Sequence, residues 1–265
     1  MEKLRIAIIQ MDIAFGDVET NRRRTDAMIR EAAGNKPDLI LLPELWTTAY
    51  DLTRIEQLAD DQGRETKQQM SRLARELNVN ILAGSVAELR GGRVYNTTFL
   101  FDRSGRHTAT YSKLHLFRLM DEEKYLHAGD RLGRIEIEGI PCSTMICYDL
   151  RFPELSRALA LSGAKILFLP AEWPHPRLHH WRTLQMARAI ENQMFVVSCN
   201  RVGRAGDTEF FGHSMVVDPW GEILLEAGEE EGIFQAEIDL AAVDSVRERI
   251  PIFEDRRPDV YETSK

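Results

Sequence analysis

Cys147 closes the apolar run Ser143-Thr144-Met145-Ile146, and a helix from Pro153 to Ala160 follows within six residues. Proline suits a first helical turn, and Gly163 suits the position just past the end. A thiol at such a strand-to-helix elbow can sit at a sheet edge, beside backbone N–H groups free to bind an anion. Cys147 is therefore a nucleophile candidate, although a free cysteine is more often a buried core residue. Glu44 follows the run Asp38-Leu39-Ile40-Leu41-Leu42-Pro43 at once. A carboxylate at a strand end must be solvated, paired or chemically useful. Lys113 interrupts the strand-like stretch from Thr108 to Phe117, where a lysine is usually a solvated outer-face residue. A thiol, a carboxylate and an ammonium group suffice for attack on a carbonyl carbon.

The elements that would position these groups alternate along the chain. Leu4–Gln10 reads as a buried β-branched strand. Thr20 or Asn21 can cap a helix through Ala33, ended by Gly34. With the strand before Glu44 this makes a parallel βαβ unit, and functional groups collect beyond the C-terminal strand ends of such sheets. Residues 53–62 and 66–77 read as helices, the second with Met70, Leu73, Ala74 and Leu77 on one face. Asn80–Val86 and Val94–Asp102 read as strands around a Gly91-Gly92 turn, and 118–130 as a loop. Further strands are expected at 135–137, 165–170, 195–200 and 233–238, and around the Pro219-Trp220-Gly221 turn. Helices are expected at 181–193 and 240–249. The result is mixed α/β. Its two βαβ-like regions, 4–43 and 142–200, suggest layered sheets.

Composition narrows the functional classes. The chain has 265 residues, enough for one large α/β domain, and no linker divides it. A hydrophobic fraction of 43% with 29% charged residues is that of an ordinary soluble globule. A net charge of −8 argues against nucleic-acid or anionic-membrane binding, and no apolar run reaches the ~20 residues of a membrane span. The first residues lead straight into a strand rather than a signal sequence. Cys142, Cys147 and Cys199 form no paired framework, so a cytoplasmic location is expected. Cys142 and Cys199 read as core. His175, His179 and His180 lack a carboxylate or cysteine at ligand spacing, and prolines interrupt the segment, so no metal site is expected. Gly203 and Gly206 read as loop glycines rather than a phosphate cradle.

Taken together, Leu41-Leu42-Pro43-Glu44-Leu45, Tyr111-Ser112-Lys113-Leu114-His115 and Ile146-Cys147-Tyr148-Asp149-Leu150-Arg151-Phe152-Pro153-Glu154 resemble the Glu–Lys–Cys triad segments of the nitrilase superfamily of carbon–nitrogen hydrolases. Gly212-His213-Ser214 and Asp218-Pro219-Trp220-Gly221-Glu222 extend the match over nearly the whole chain. The resemblance implies a single α-β-β-α sandwich domain over 1–265, pairing into a homodimer or higher homo-oligomer, with no cofactor and no metal. It also implies a further glutamate, Glu122, that holds Lys113 or orients substrate, with Glu123 the adjacent competitor. On this reading Glu44 takes the thiol proton, Lys113 and the Tyr148 N–H stabilise the oxyanion, and Glu44 serves both halves of the reaction.

The segment Glu172–Trp181, together with Arg188–Gln193, Cys199-Asn200-Arg201, Ile250–Phe253 and Arg256–Asp259, resembles the omega-amidase branch, whose members hydrolyse short 2-oxo dicarboxylic acid monoamides such as 2-oxoglutaramate. An acidic substrate of this kind asks for a cation, Arg151 or Arg201. Tyr148 and Trp173 flank the site positions. The other readings are a carbon–nitrogen hydrolase acting on an N-carbamoyl compound, a peptide-like amide or a nitrile, and a non-catalytic protein that kept the fold.

Overall fold

The computed structural model describes residues 3–261. Lys3–Gln10 lies inside an eight-stranded sheet, antiparallel to Gly232–Asp239 on one side and parallel to Leu39–Leu41 on the other. The sheet continues through Asn80–Leu82, Arg93–Phe101, Val86–Arg90 and Asp60–Asp61, and His107–Ser112 also pairs with Arg93–Phe101. The second sheet runs in the order Ile223–Glu226, Met215–Val217, Phe195–Asn200, Ile166–Ala171, Ile140–Thr144, Arg134–Ile137. Its three central strands, Phe195–Asn200, Ile166–Ala171 and Ile140–Thr144, are parallel.

Strand periodicity builds the layers. In Lys3–Gln10, Leu4, Ile6 and Ile8 point into a core shared with Cys142, Phe168, Val197 and Cys199 of the second sheet, while Ala7 and Ile9 point the other way. There they meet Ile29 and Ala32 of the helix Val18–Ala33 and Met70, Leu73 and Ala74 of the helix Arg64–Leu77. On the far side, Leu155 and Leu159 of Pro153–Leu161 and Trp181 and Ala189 of Leu178–Asn192 cover the second sheet. Each fully buried aliphatic side chain contributes about 1.5–3 kcal/mol. The architecture is an α-β-β-α sandwich.

Four local readings change. The first helix begins at Val18, capped by Asp17, whose carboxylate accepts from the Thr20 N–H at 3.0 Å. Asn21 lies inside that helix, buried, and its side chain ties Ala14 to Thr47. The expected helix 53–62 is a 3₁₀ turn at Leu52–Arg54, one short turn at Ile55–Leu58 and a strand edge at Asp60–Asp61. Gly203 lies not in a loop but in the strand Val202–Ala205, paired with Thr208–Phe211, while Gly206 sits in the turn that joins the two. The expected loop 118–130 contains a 3₁₀ turn and a short helix, Glu122–Tyr125.

Candidate active site

Glu44 stands three residues beyond Leu39–Leu41 and is fully buried. Ser85 fixes the turn that carries it. The Ser85 N–H donates to Pro43 O at 3.0 Å, and Ser85 Oγ accepts from the Leu45 N–H at 2.9 Å. Gly84 lets the two segments touch, because a Cβ there would lie 2.0 Å from Pro43 O at a φ of +57°. Lys113 lies just past His107–Ser112. Its N–H donates to Asn96 O, one more rung of the pairing with Arg93–Phe101, and its carbonyl accepts from Gly129 N. It is not the solvated strand lysine that the local pattern favours: its side chain has no exposure.

Cys147 follows the strand Ile140–Thr144 and opens the 3₁₀ segment Cys147–Arg151, with φ of +46°. A non-glycine residue in that region is strained by about 1 kcal/mol or more and persists only where its surroundings dictate it. Asp149, fully buried, supplies that constraint. Its carboxylate accepts from the Ile146 N–H (3.0 Å), the Tyr111 hydroxyl (2.6 Å) and the His115 N–H (3.0 Å), and lies 2.7 Å from His115 Nδ1. One carboxylate thus joins the cysteine elbow to the segment that carries Lys113. Asp149→Asn turns part of this acceptor set into a donor facing donors, and is expected to destabilise the fold by about 3 kcal/mol, as urea unfolding would measure.

Around Lys113 the groups converge. Its Nζ donates to Glu44 Oε1 at 2.8 Å and to Glu122 Oε1 at 2.7 Å, with the Tyr50 hydroxyl at 3.4 Å. The single Tyr50 proton has two acceptors, Glu122 Oε1 at 2.6 Å and Glu44 Oε1 at 3.0 Å. Asn96 Nδ2 and the Glu172 N–H complete the shell of Glu44, each at 2.8 Å. Glu122 also accepts from the Phe117 N–H at 2.9 Å. Glu122 is buried against Lys113, whereas Glu123 is exposed.

Burial opposes the charge on Lys113, but Glu122 and Glu44 outweigh it and hold the ammonium well above its ordinary range. Burial, reinforced by Glu44 against the pull of Lys113, raises Glu122. Burial, with Glu122 and Glu44 adding to it, keeps Tyr50 a phenol. The Cys147 thiol is raised well above its usual value, first by burial and then by Glu44, with Lys113 opposing. At rest the sulfur therefore keeps its proton and needs a base to become nucleophilic.

Cys147 opens on a small cavity lined by Phe117, Tyr148, Arg151, Glu172, Trp173, Pro174 and Arg177. A larger depression lies between Asp102, Arg106, Arg134 and Glu136. It is lined by neither cysteine nor lysine, so size does not choose the site. Tyr148, Arg151 and Trp173 line the Cys147 cavity. Arg201 does not. Its guanidinium is fully buried behind Glu172, donating to Glu172 Oε2 (3.0 Å), Asp12 Oδ1 (3.1 Å) and the Ile13 carbonyl (2.9 Å). Protein acceptors occupy it, so the expectation that it clamps a substrate carboxylate is corrected. Arg177 was not foreseen. It lines the cavity beside Arg151, and neither guanidinium has a carboxylate partner among the described residues. Arg151 stacks 4.7 Å above Trp173, and Arg177 stands 5.6 Å from the Phe117 ring.

A family model described as carbon–nitrogen hydrolase matches residues 5–248. The chain belongs to the carbon–nitrogen hydrolase family. It is 48% identical over 259 residues to a 2-oxoglutaramate amidase of Bacillus subtilis, covering 98% of this chain and 100% of that protein. It is 34% identical to human omega-amidase NIT2, covering 98% of each. Among solved structures it superposes on a CN-hydrolase superfamily protein of Xanthomonas campestris with an arsenic adduct in its active site, at a TM-score of 0.91 and 31% identity, covering 97% of this chain and 98% of that one. It also matches Saccharomyces cerevisiae Nit3, of branch 10 of the nitrilase superfamily, at a TM-score of 0.90 and 29% identity, covering 97% of each. Among the described residues of this chain no helix is long and apolar enough to cross a membrane.

Proposed function

We propose that this hydrolase cleaves the terminal amide of a short, carboxylate-bearing substrate of the 2-oxoglutaramate type, through a Cys147 thioester, releasing ammonia. The observation that carries the reading is the buried cluster of Glu44, Lys113 and Glu122 beside a strained cysteine at the floor of a small cavity. Glu44 takes the thiol proton as sulfur attacks the amide carbon. Negative charge then develops on the carbonyl oxygen. Lys113, locked by two carboxylates, and the backbone N–H of Tyr148 in the first turn of Cys147–Arg151 are the positive groups that answer it. Collapse breaks the C–N bond and leaves the thioester, which water hydrolyses.

Arg151 and Arg177 at the mouth support an anionic substrate, since two cations without a carboxylate partner leave positive potential where the tail of a short acid would lie. Similarity to a 2-oxoglutaramate amidase and to omega-amidases supports the same choice. The test is a panel of omega-amides, N-carbamoyl compounds and nitriles assayed for ammonia and CO2. Ammonia without CO2, fastest on the carboxylate-bearing amide, is expected; preference for the carbamoyl compounds would sink the assignment. Arg151→Gln is expected to raise KM for the acidic amide by roughly 10–100-fold, the value of a charge-assisted hydrogen bond, and to change an uncharged amide by less than about threefold.

A further inference from the structure

We infer that Glu172 is the acid that protonates the departing nitrogen when the C–N bond breaks. The inference rests on the thioester reading above and deepens it. Glu172 follows the strand Ile166–Ala171 and lines the same cavity as Cys147. The residue is 1% exposed, and its two carboxyl oxygens have different fates. Oε2 accepts from Arg201 Nη1 at 3.0 Å, while Oε1 is buried and has no hydrogen-bond partner. An orphaned carboxyl oxygen inside a protein is costly, and here it belongs to a residue that lines the cavity in which the amide must lie. The backbone holds it close to the reacting groups, because the Glu172 N–H donates to Glu44 Oε2 at 2.8 Å. A substrate amide offers its oxygen to Lys113 and the Tyr148 N–H. Its nitrogen then needs a partner of its own, and among the cavity-lining residues Glu172 carries a carboxyl oxygen, Oε1, that no described protein group satisfies.

Charge supports the same role. Glu44, Lys113 and Arg201 face Glu172 from three separate segments, with Asp12 behind Arg201 and Arg151 and Arg177 across the cavity. Burial pushes the Glu172 carboxyl up to about 8; Arg201 pulls it down and Glu44 pushes it up again. At neutral pH the group therefore holds a proton, ready to give. The protons balance over one turnover. In acylation the thiol proton passes to Glu44. The C–N bonding electrons then go to nitrogen, which takes the Glu172 proton and leaves as ammonia. In deacylation water attacks the thioester carbon, its proton passes to the Glu172 carboxylate, and the C–S electrons return to sulfur, which recovers the proton held by Glu44. Arg201 stabilises the Glu172 carboxylate in between. On this scheme the two halves of the reaction use two carboxyl groups, not Glu44 alone.

The experiment compares the best amide of the panel with the p-nitrophenyl ester of the same acid, whose leaving group departs without a proton. Glu172→Gln keeps the size of the side chain and an oxygen for Arg201, but has no proton to transfer. Measured as kcat/KM, which reports acylation and not the shared deacylation step, it is expected to lose about 100-fold or more on the amide, the usual worth of a positioned general acid, and less than about threefold on the ester. Equal losses on both substrates would reduce Glu172 to a structural support and overturn the inference. With the amide alone, wild-type kcat/KM should fall as pH rises through about 8, as Glu172 gives up its proton. That basic limb should vanish in Glu172→Gln and persist, at reduced rate, in Glu172→Asp. A wild-type profile that stays flat from neutral pH to well above this value overturns the inference even if the glutamine variant fails to fold. Failure of the thioester reading would show separately, as turnover that survives Cys147→Ala.

Discussion

Cys147→Ala is expected to lower ammonia release by roughly 10⁴-fold or more, the scale seen when a covalent nucleophile is removed from an otherwise intact site. The expectation follows from how little else the substitution disturbs. Lys113, Glu44, Glu122 and Tyr50 bond to one another, and none of these bonds passes through the sulfur. The folded state should therefore lose only about 1 kcal/mol, the packing of one small buried group. Wild-type enzyme quenched in acid during turnover should carry the mass of substrate less ammonia on the peptide containing Cys147, and the alanine variant should carry none. Cys147→Ser is expected to remain severely impaired as well, because an alcohol is far harder than a thiol to deprotonate by a carboxylate such as Glu44. Turnover within tenfold of wild type in the alanine variant would remove the nucleophile from the proposal.

What the sequence revealed of this fold divides along the range of the interactions involved. Phe195–Asn200 and the run through Ile166–Ala171 are legible because strands buried on both faces need unbroken apolar residues. The elbow is legible for a similarly local reason, an apolar run with a helix-starting proline six residues after Cys147. Lys113 misleads by the same logic. Its neighbours look like a strand, and only its carboxylate partners, Glu44 from 69 residues before and Glu122 from nine after, show that the side chain is buried rather than solvated. Residues 53–62 have helical spacing, yet Asp60 leaves the helix because its carboxylate accepts from the N–H groups of Glu65 and Thr66 and pairs with Arg22. Asp149 and Glu172 carry little local signal. Apart from the Ile146 N–H, three residues before Asp149, their side-chain partners lie 34 and 38 residues away for Asp149 and 29 for Glu172, so the spacing of neighbours hardly distinguishes them from solvated acids. Arg201 fails for the converse reason. A lone arginine near a site looks free until its buried partners are known.

Lys113→Ala tests the electrostatic centre of the site, and its effect on stability is as informative as its effect on rate. In the wild type two carboxylates, both without solvent exposure, share one ammonium group. Removing one member of a buried ionic cluster leaves the rest uncompensated, at a cost of about 3–5 kcal/mol. Glu44 and Glu122 would then face each other through the single Tyr50 proton, and like charges at that range force one carboxyl to keep its proton. The sign follows from that retained proton. In the wild type the carboxyl of Glu122 is already raised by burial; without Lys113 its folded-state value rises further above the unfolded one. A group raised in this way adds stability below its unfolded pKa and loses it as pH rises through its folded pKa. The deficit of Lys113→Ala relative to wild type should therefore be smallest in mild acid and grow toward neutral and alkaline pH. Activity should fall by at least about 100-fold at every pH, since no other cation in the cluster can meet the oxyanion. Urea unfolding of both proteins at several pH values checks the first claim, and ammonia release checks the second. A deficit independent of pH would mean that Glu44 and Glu122 do not depend on Lys113 for their charge.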